Sequence, residues 1–128
     1  MNWDEIRQMS DNGFAIGAHT VSHRILSILN EDEIMQEISE SKYEIEKILG
    51  KKVFSFAYPR GKKSDYNPDA CFTVLRNYDF KLGVTTVGGN NNLDANQDYF
   101  NLRRMGFSYD DTLNFFKFKV NTGCFWQK

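Results

Sequence analysis

Segments with helical spacing of apolar residues alternate with short apolar segments along this chain, and this order restricts the fold more than any other feature. Helices are predicted over residues 2–11, 31–49, 67–78 and 110–120, and strands over residues 14–17, 52–57, 79–86 and 100–105. Such alternation is typical of a parallel sheet with helices packed outside it. We therefore predict an α/β fold with mainly parallel strands.

The second predicted helix has the clearest boundaries. Asn30 is a favourable N-cap, and acidic residues fill the first turn after it. A stripe of isoleucines runs from Ile34 to Ile48, and Gly50 ends the helix. We predict that its charged residues form a solvated face without a chemical role.

Length and charge exclude several classes of protein. A chain of 128 residues suggests one domain, and 16 basic residues against 17 acidic ones give no reason to expect nucleic acid or an anionic membrane as a partner. No segment is apolar enough to cross a bilayer, and no signal peptide is recognisable. Cys71 and Cys124 are predicted to be free thiols. The compartment is left open between bacterial cytoplasm and cell envelope.

The strongest polar signals directly follow the first two predicted strands. His19 and His23, the only two histidines, come after the first strand, and Tyr58-Pro59-Arg60-Gly61 comes after the second. Sites of parallel α/β folds gather at the carboxyl ends of the strands. We therefore expect these two segments to lie near each other in a functional site.

Two imidazoles four residues apart in a tight loop are suited to binding one divalent metal ion. A catalytic zinc site adds a third protein ligand and an open position, and Thr20 and Ser22 are candidates to orient the rings. The alternative is a pair of surface or helix-capping histidines.

The turn Tyr58-Pro59-Arg60-Gly61 has two interpretations. One of its main-chain N–H groups can donate to an oxyanion, and Arg60 can contact a carboxylate or sugar hydroxyls. The alternative is a purely structural strand-to-helix turn, which the residues alone favour.

The motifs resemble those of the polysaccharide deacetylases, also called carbohydrate esterase family 4 or the NodB homology domain. Residues 17–23, Gly-Ala-His-Thr-Val-Ser-His, resemble the H-[S/T]-x-x-H metal motif, and residues 13–17 resemble the strand that precedes it. Residues 56–61, Phe-Ala-Tyr-Pro-Arg-Gly, resemble the F-R-x-P-Y-G motif, and residues 82–86 and 102–105 resemble later strands.

The resemblance implies a partial, distorted (β/α) barrel and a hydrolase that removes N-acetyl or O-acetyl groups from a polysaccharide or surface glycan. Such an enzyme acts on carbon–nitrogen bonds other than peptide bonds, and its partner is an acetylated amino-sugar polymer. The matched positions imply that His19 and His23 bind a metal ion, most simply zinc, and that Thr20 supports them. They also imply that the Arg60 N–H contacts the oxyanion. Substrate contacts are implied for Tyr58, Pro59 and Arg60.

Three departures from the family pattern bear on activity. The T-F-D-D motif, which supplies the base and a metal ligand, does not occur, Ala57 replaces the motif arginine, and Leu102-Arg103-Arg104 lacks the late histidine. We expect residues 1–128 to be a single, N-terminally truncated domain with impaired or no activity and a tendency to self-associate through exposed sheet edges. The alternatives are a non-catalytic carbohydrate-binding or structural remnant and an α/β domain with an accidental histidine pair.

Overall fold

The computed structural model of the protein describes residues 1–91 and 99–122. Helices and strands alternate along it in the order α1 (Trp3–Asp11), a 3-10 turn (Leu26–Ile28), α2 (Glu31–Leu49), β1 (Ser55–Ala57), α3 (Pro68–Asn77), β2 (Leu82–Val84) and α4 (Leu113–Thr122). None of the helices in these residues is both long and apolar enough to cross a membrane.

The strands are parallel, as the alternation predicts. β1 pairs with β2 in a register that places Phe56 opposite Gly83. Ala18 forms a further parallel bridge to Phe56, and Leu102 forms one to Val84. The order across the sheet is therefore Ala18, β1, β2 and Leu102. This arrangement agrees with part of a (β/α) barrel.

All four predicted strands are shorter in the structure than in the prediction, and the two that remain, β1 and β2, have three residues each. Residues 14–17 form no strand, and only Ala18 pairs with β1. Of residues 100–105, only Leu102 forms a bridge. A strand requires several consecutive paired residues, and apolar composition alone does not supply the partner.

The predicted helix boundaries are confirmed closely for α2. The side chain of Asn30 accepts a hydrogen bond from the N–H of Glu33, whose carboxylate accepts one from the N–H of Asn30. Gly50 ends the helix with a left-handed φ of 64°. α4 begins at Leu113, three residues after the predicted start at Asp110.

The core lies between the sheet and helices α2 and α3, which pack against each other. Its fully buried side chains include Leu26, Ile34, Ile38, Phe56 and Leu75. Each contributes about 1.5–3 kcal/mol by its removal from water. This packing fixes the carboxyl end of β1 and the loop that follows Ala18.

Gly83 makes room for a buried tyrosine beneath the second motif. A Cβ atom at Gly83 would lie 2.8 Å from the carbonyl oxygen of Phe100 and 3.0 Å from the hydroxyl oxygen of Tyr58. That hydroxyl donates a hydrogen bond to the Phe100 carbonyl at 2.8 Å. The glycine therefore allows Tyr58 to anchor the segment that leaves β1.

Candidate active site

The structure brings His19 and His23 together in the loop after Ala18. Their ring centroids lie 4.8 Å apart, with an angle of 71° between the ring planes. Both residues are exposed to solvent. The two imidazoles are therefore accessible and close enough to share a ligand.

The ring of His19 is oriented by β1. Its Nδ1 atom lies 2.7 Å from the carbonyl oxygen of Ala57, the last residue of that strand. Because a carbonyl oxygen only accepts hydrogen bonds, Nδ1 carries the proton and Nε2 keeps a lone pair. A main-chain carbonyl thus fixes this tautomer, and sequence motifs cannot show such a partner.

The histidine loop contains two strained positions. Thr20 has a φ of 63° and His23 a φ of 58°, in the left-handed region that residues other than glycine avoid. Each such residue costs on the order of 1–3 kcal/mol and persists only where its surroundings hold it. Thr20 Oγ1 donates to the His19 carbonyl at 2.6 Å and accepts from the His23 N–H at 3.1 Å. Thr20 therefore connects the main chains of both histidines.

Glu37, on α2, is a site residue that the sequence analysis missed. Its Oε2 atom accepts hydrogen bonds from the N–H groups of Val21 and Ser22, both at 2.9 Å, and its Oε1 atom accepts one from the Ser22 hydroxyl. Burial raises the pKa of the Glu37 carboxyl, but the hydrogen bonds from Ser22 and Val21 outweigh it, so the pKa lies below its ordinary value.

The prediction that all charged residues of α2 form a solvated face is therefore wrong for Glu37 and also for Lys42, which are both buried. The signal available in the sequence was the position of Glu37. Glu37 lies on the same helical stripe as Ile34, Ile38 and Ser41, which are also buried. A carboxylate in an apolar stripe needs hydrogen-bond donors from elsewhere in the fold.

The turn after β1 is held by the segment that follows β2. Arg60 and Gly61 are consecutive left-handed residues, with φ of 57° and 70°. Thr86 donates to both of them, from Oγ1 to the Arg60 carbonyl at 2.5 Å and from its N–H to the Gly61 carbonyl at 2.9 Å. Among the residues that the structure describes, no group accepts a hydrogen bond from the Arg60 N–H. This N–H is thus available for a ligand.

The side chains of Tyr58 and Pro59 point into the protein. Both are fully buried, and the Tyr58 ring stacks on Tyr66 with 4.2 Å between centroids. Any contribution of theirs to a sugar groove therefore comes through the shape of the turn. Arg60, by contrast, is exposed.

The distance between the two histidine rings matches the separation of two imidazoles on one zinc ion. Two imidazoles on one tetrahedral zinc place their ring centroids about 5 Å apart, because each Zn–N bond is about 2.0–2.1 Å long. The observed 4.8 Å agrees with this separation. Within residues 1–91 and 99–122, no cluster of three His, Cys, Asp or Glu side chains could hold a metal ion. Catalytic zinc commonly takes three ligands from the protein, so the histidine pair by itself would not complete such a site.

Solved deacetylases share this fold. The Streptococcus pyogenes deacetylase PplD, solved in complex with acetate, is 26% identical, with a TM-score of 0.81 over 91% of this chain and 49% of its own. A polysaccharide deacetylase from Bacillus cereus is 25% identical, with a TM-score of 0.80 over 94% of this chain and 36% of its own. The chain thus spans half or less of these proteins.

A more distant structure has the same fold. It is a carbohydrate esterase family 4 pseudoenzyme from Bacillus anthracis, 22% identical, with a TM-score of 0.58 over 67% of this chain and 29% of its own. No curated protein sequence matches the chain.

The sequence model of one family, described as polysaccharide deacetylase, matches residues 1–83. The matched range contains the histidine loop, Glu37 and the turn at Arg60. The resemblance found in the motifs is thereby confirmed over more than half of the sequence. The chain belongs to the polysaccharide deacetylase family.

Proposed function

We propose that the chain carries the histidine metal ligands and the oxyanion-binding turn of a hydrolase that removes N-acetyl, or O-acetyl, groups from a polysaccharide or surface glycan. The observation that carries the proposal is the histidine pair, with ring centroids 4.8 Å apart and His19 fixed by the Ala57 carbonyl.

His19 and His23 would hold a divalent ion, zinc in our proposal, which supplies Lewis acidity when bound. The Ala57 carbonyl keeps the proton of His19 on Nδ1, so that Nε2 is ready to bind. Thr20 keeps the main chains of both histidines in place. These residues thus orient the imidazoles before any ion arrives.

Arg60 would act on the substrate. Its N–H has no acceptor among the described residues and would donate to the oxygen of the acetyl group as negative charge develops there. Its exposed guanidinium would contact sugar hydroxyls or a carboxylate of the glycan. Tyr58 and Pro59 would support substrate binding by fixing the turn from the core side.

The acetate in the Streptococcus pyogenes structure fits this reaction class, since acetate is the product of deacetylation. We assign no general base to the described residues, and we propose that the chain alone is impaired or inactive in turnover. We also propose that residues 1–128 form one domain that self-associates through exposed sheet edges.

A second candidate function is a non-catalytic, carbohydrate-binding or structural member of the family. It is favoured by the absence of a three-ligand metal cluster from the described residues. The Bacillus anthracis pseudoenzyme shows that this fold also occurs in a protein named as non-catalytic.

Acetate release from an acetylated amino-sugar oligomer, with zinc or cobalt added, tests both candidates. Release by the wild-type chain that is lost in His19→Ala and His23→Ala would establish the deacetylase and exclude the non-catalytic alternative. Binding of the oligomer with neither acetate release nor zinc binding would favour that alternative, whereas zinc binding that is lost in His19→Ala and His23→Ala would support the metal ligands of an impaired deacetylase. Neither binding nor release, in a chain that is folded by circular dichroism, would contradict both.

A further inference from the structure

Two main-chain N–H groups in the middle of the histidine loop converge on one carboxylate. Val21 and Ser22 both donate to Oε2 of Glu37 at 2.9 Å, and the Ser22 hydroxyl donates to Oε1. Successive N–H groups that face one point form an anion-binding concavity. Here the anion is the carboxylate of Glu37 on α2, which lies fifteen residues after Ser22 in the sequence.

These hydrogen bonds lie between the strained positions of the loop. Thr20 precedes the two donors and His23 follows them, and both have a left-handed φ. Such conformations need external support. The carboxylate of Glu37 supplies it at the two residues that join the strained positions.

α2 gives this support a rigid base. Ile34 and Ile38, on either side of Glu37 on the helix, are 2% and 0% exposed and belong to the core. Glu37 itself is only 9% exposed. Glu37 therefore fixes the position of the histidine loop relative to the hydrophobic core.

The two histidines depend on Glu37 to different degrees. His19 is also held by the Ala57 carbonyl at the end of β1. The described main-chain contact of His23 inside the loop is to Thr20. Loss of Glu37 would therefore release His23 more than His19 and open the pair.

We propose that Glu37 is a positioning residue that sets the geometry of the histidine pair for metal binding. The metal-binding part of this inference rests on the proposed function, whereas the geometric part does not. The described hydrogen bonds of Glu37 join it to Val21 and Ser22, so it acts on the imidazoles through these two residues.

The test compares Glu37→Gln with wild type in two measurements. The first is the NMR contact between the His19 and His23 rings in the metal-free protein, together with hydrogen-exchange protection of the Val21 and Ser22 amides. The second is zinc affinity by calorimetry. We expect the ring contact and the protection to be lost, and zinc affinity to fall by about tenfold or more, as for other outer partners of metal ligands.

Glu44→Gln is the matched control, because Glu44 lies on the same helix with a side chain that is 52% exposed. It should change neither measurement. Ser22→Ala removes one of the three hydrogen bonds and should have a smaller effect in the same direction, which keeps the test available if Glu37→Gln does not fold.

The outcomes separate the two proposals. A folded Glu37→Gln protein with wild-type ring contact would overturn the positioning role, and so would one with wild-type zinc affinity where the wild-type chain binds zinc. A wild-type chain that binds no zinc but loses the ring contact in Glu37→Gln would overturn the proposed metal site and leave the geometric role of Glu37 supported.

Discussion

The Nδ1 atom of His19 and the main-chain carbonyl oxygen of Ala57 are joined by a hydrogen bond of 2.7 Å. The acceptor is the last residue of β1, so the imidazole is tied to the carboxyl end of a parallel strand. Ala57 stands where the family motif has an arginine. The main-chain carbonyl of this residue orients the histidine whatever side chain is present.

Replacement of either histidine should abolish chelation. We expect His19→Ala and His23→Ala each to lower zinc affinity by more than tenfold, because one imidazole alone binds a cation weakly. The double variant should bind little worse than either single variant. Calorimetric titration measures all three, and wild-type affinity in either single variant would contradict the shared site.

Gly61→Ala should destabilise the protein more than Gly50→Ala. Both glycines have a left-handed φ, 70° and 64°, so alanine costs about 1–2 kcal/mol at either position. A Cβ at Gly61 would also lie 2.8 Å from the main-chain nitrogen of Thr86, whereas one at Gly50 would meet nothing within 4 Å. Urea unfolding measures both variants. Equal losses of stability would contradict this prediction, because they would mean that the segment around Thr86 shifts to make room for the methyl group at no cost in free energy.

The thiol of Cys71 should be unreactive in the folded protein. Burial raises its pKa to about 12, so almost no thiolate is present at neutral pH. In a Cys124→Ser background, we expect a disulfide reagent at pH 8 to label Cys71 only as fast as the protein unfolds. Labelling should become rapid in urea, and rapid labelling without urea would contradict the buried position.

Glu46 should contribute stability that disappears in acid. Burial raises the pKa of its carboxyl. A hydrogen bond from the Val53 N–H at 2.8 Å and an ion pair with Lys42 at 3.0 Å lower the pKa, and together they outweigh burial, so the pKa lies below its ordinary value of 4.5. Because the folded pKa is lower than the unfolded one, this stability is present above about pH 4.5 and is lost as the pH falls through the folded pKa.

We therefore expect Glu46→Gln to lose about 1–2 kcal/mol at pH 7 and progressively less in acid. Glu44→Gln is the control, since the exposed pair of Glu44 with Lys47 at 3.7 Å should contribute less than about 0.5 kcal/mol. Denaturant unfolding from pH 7 to pH 3 measures the difference. A loss that does not change with pH would contradict the assigned ionisation.

Features that depend on neighbouring residues could be predicted from the sequence. The capping of α2 by Asn30 and Gly50 is local hydrogen bonding and local backbone conformation, and the structure confirms it. The parallel sheet followed from the alternation of elements. The family could be predicted from two short sequence motifs, at residues 17–23 and 56–61.

The tertiary structure alone decided which groups meet. The carboxylate of Glu37 reaches Ser22 across fifteen positions, and the Ala57 carbonyl reaches His19 across thirty-eight. Tyr58, expected at a sugar groove, is a core residue because Gly83 leaves space for it and the main-chain carbonyl of Phe100 accepts a hydrogen bond from its hydroxyl. Sequence spacing specifies contacts within a turn or a helix, but contacts between distant segments depend on how the whole core packs, and no short motif records that packing.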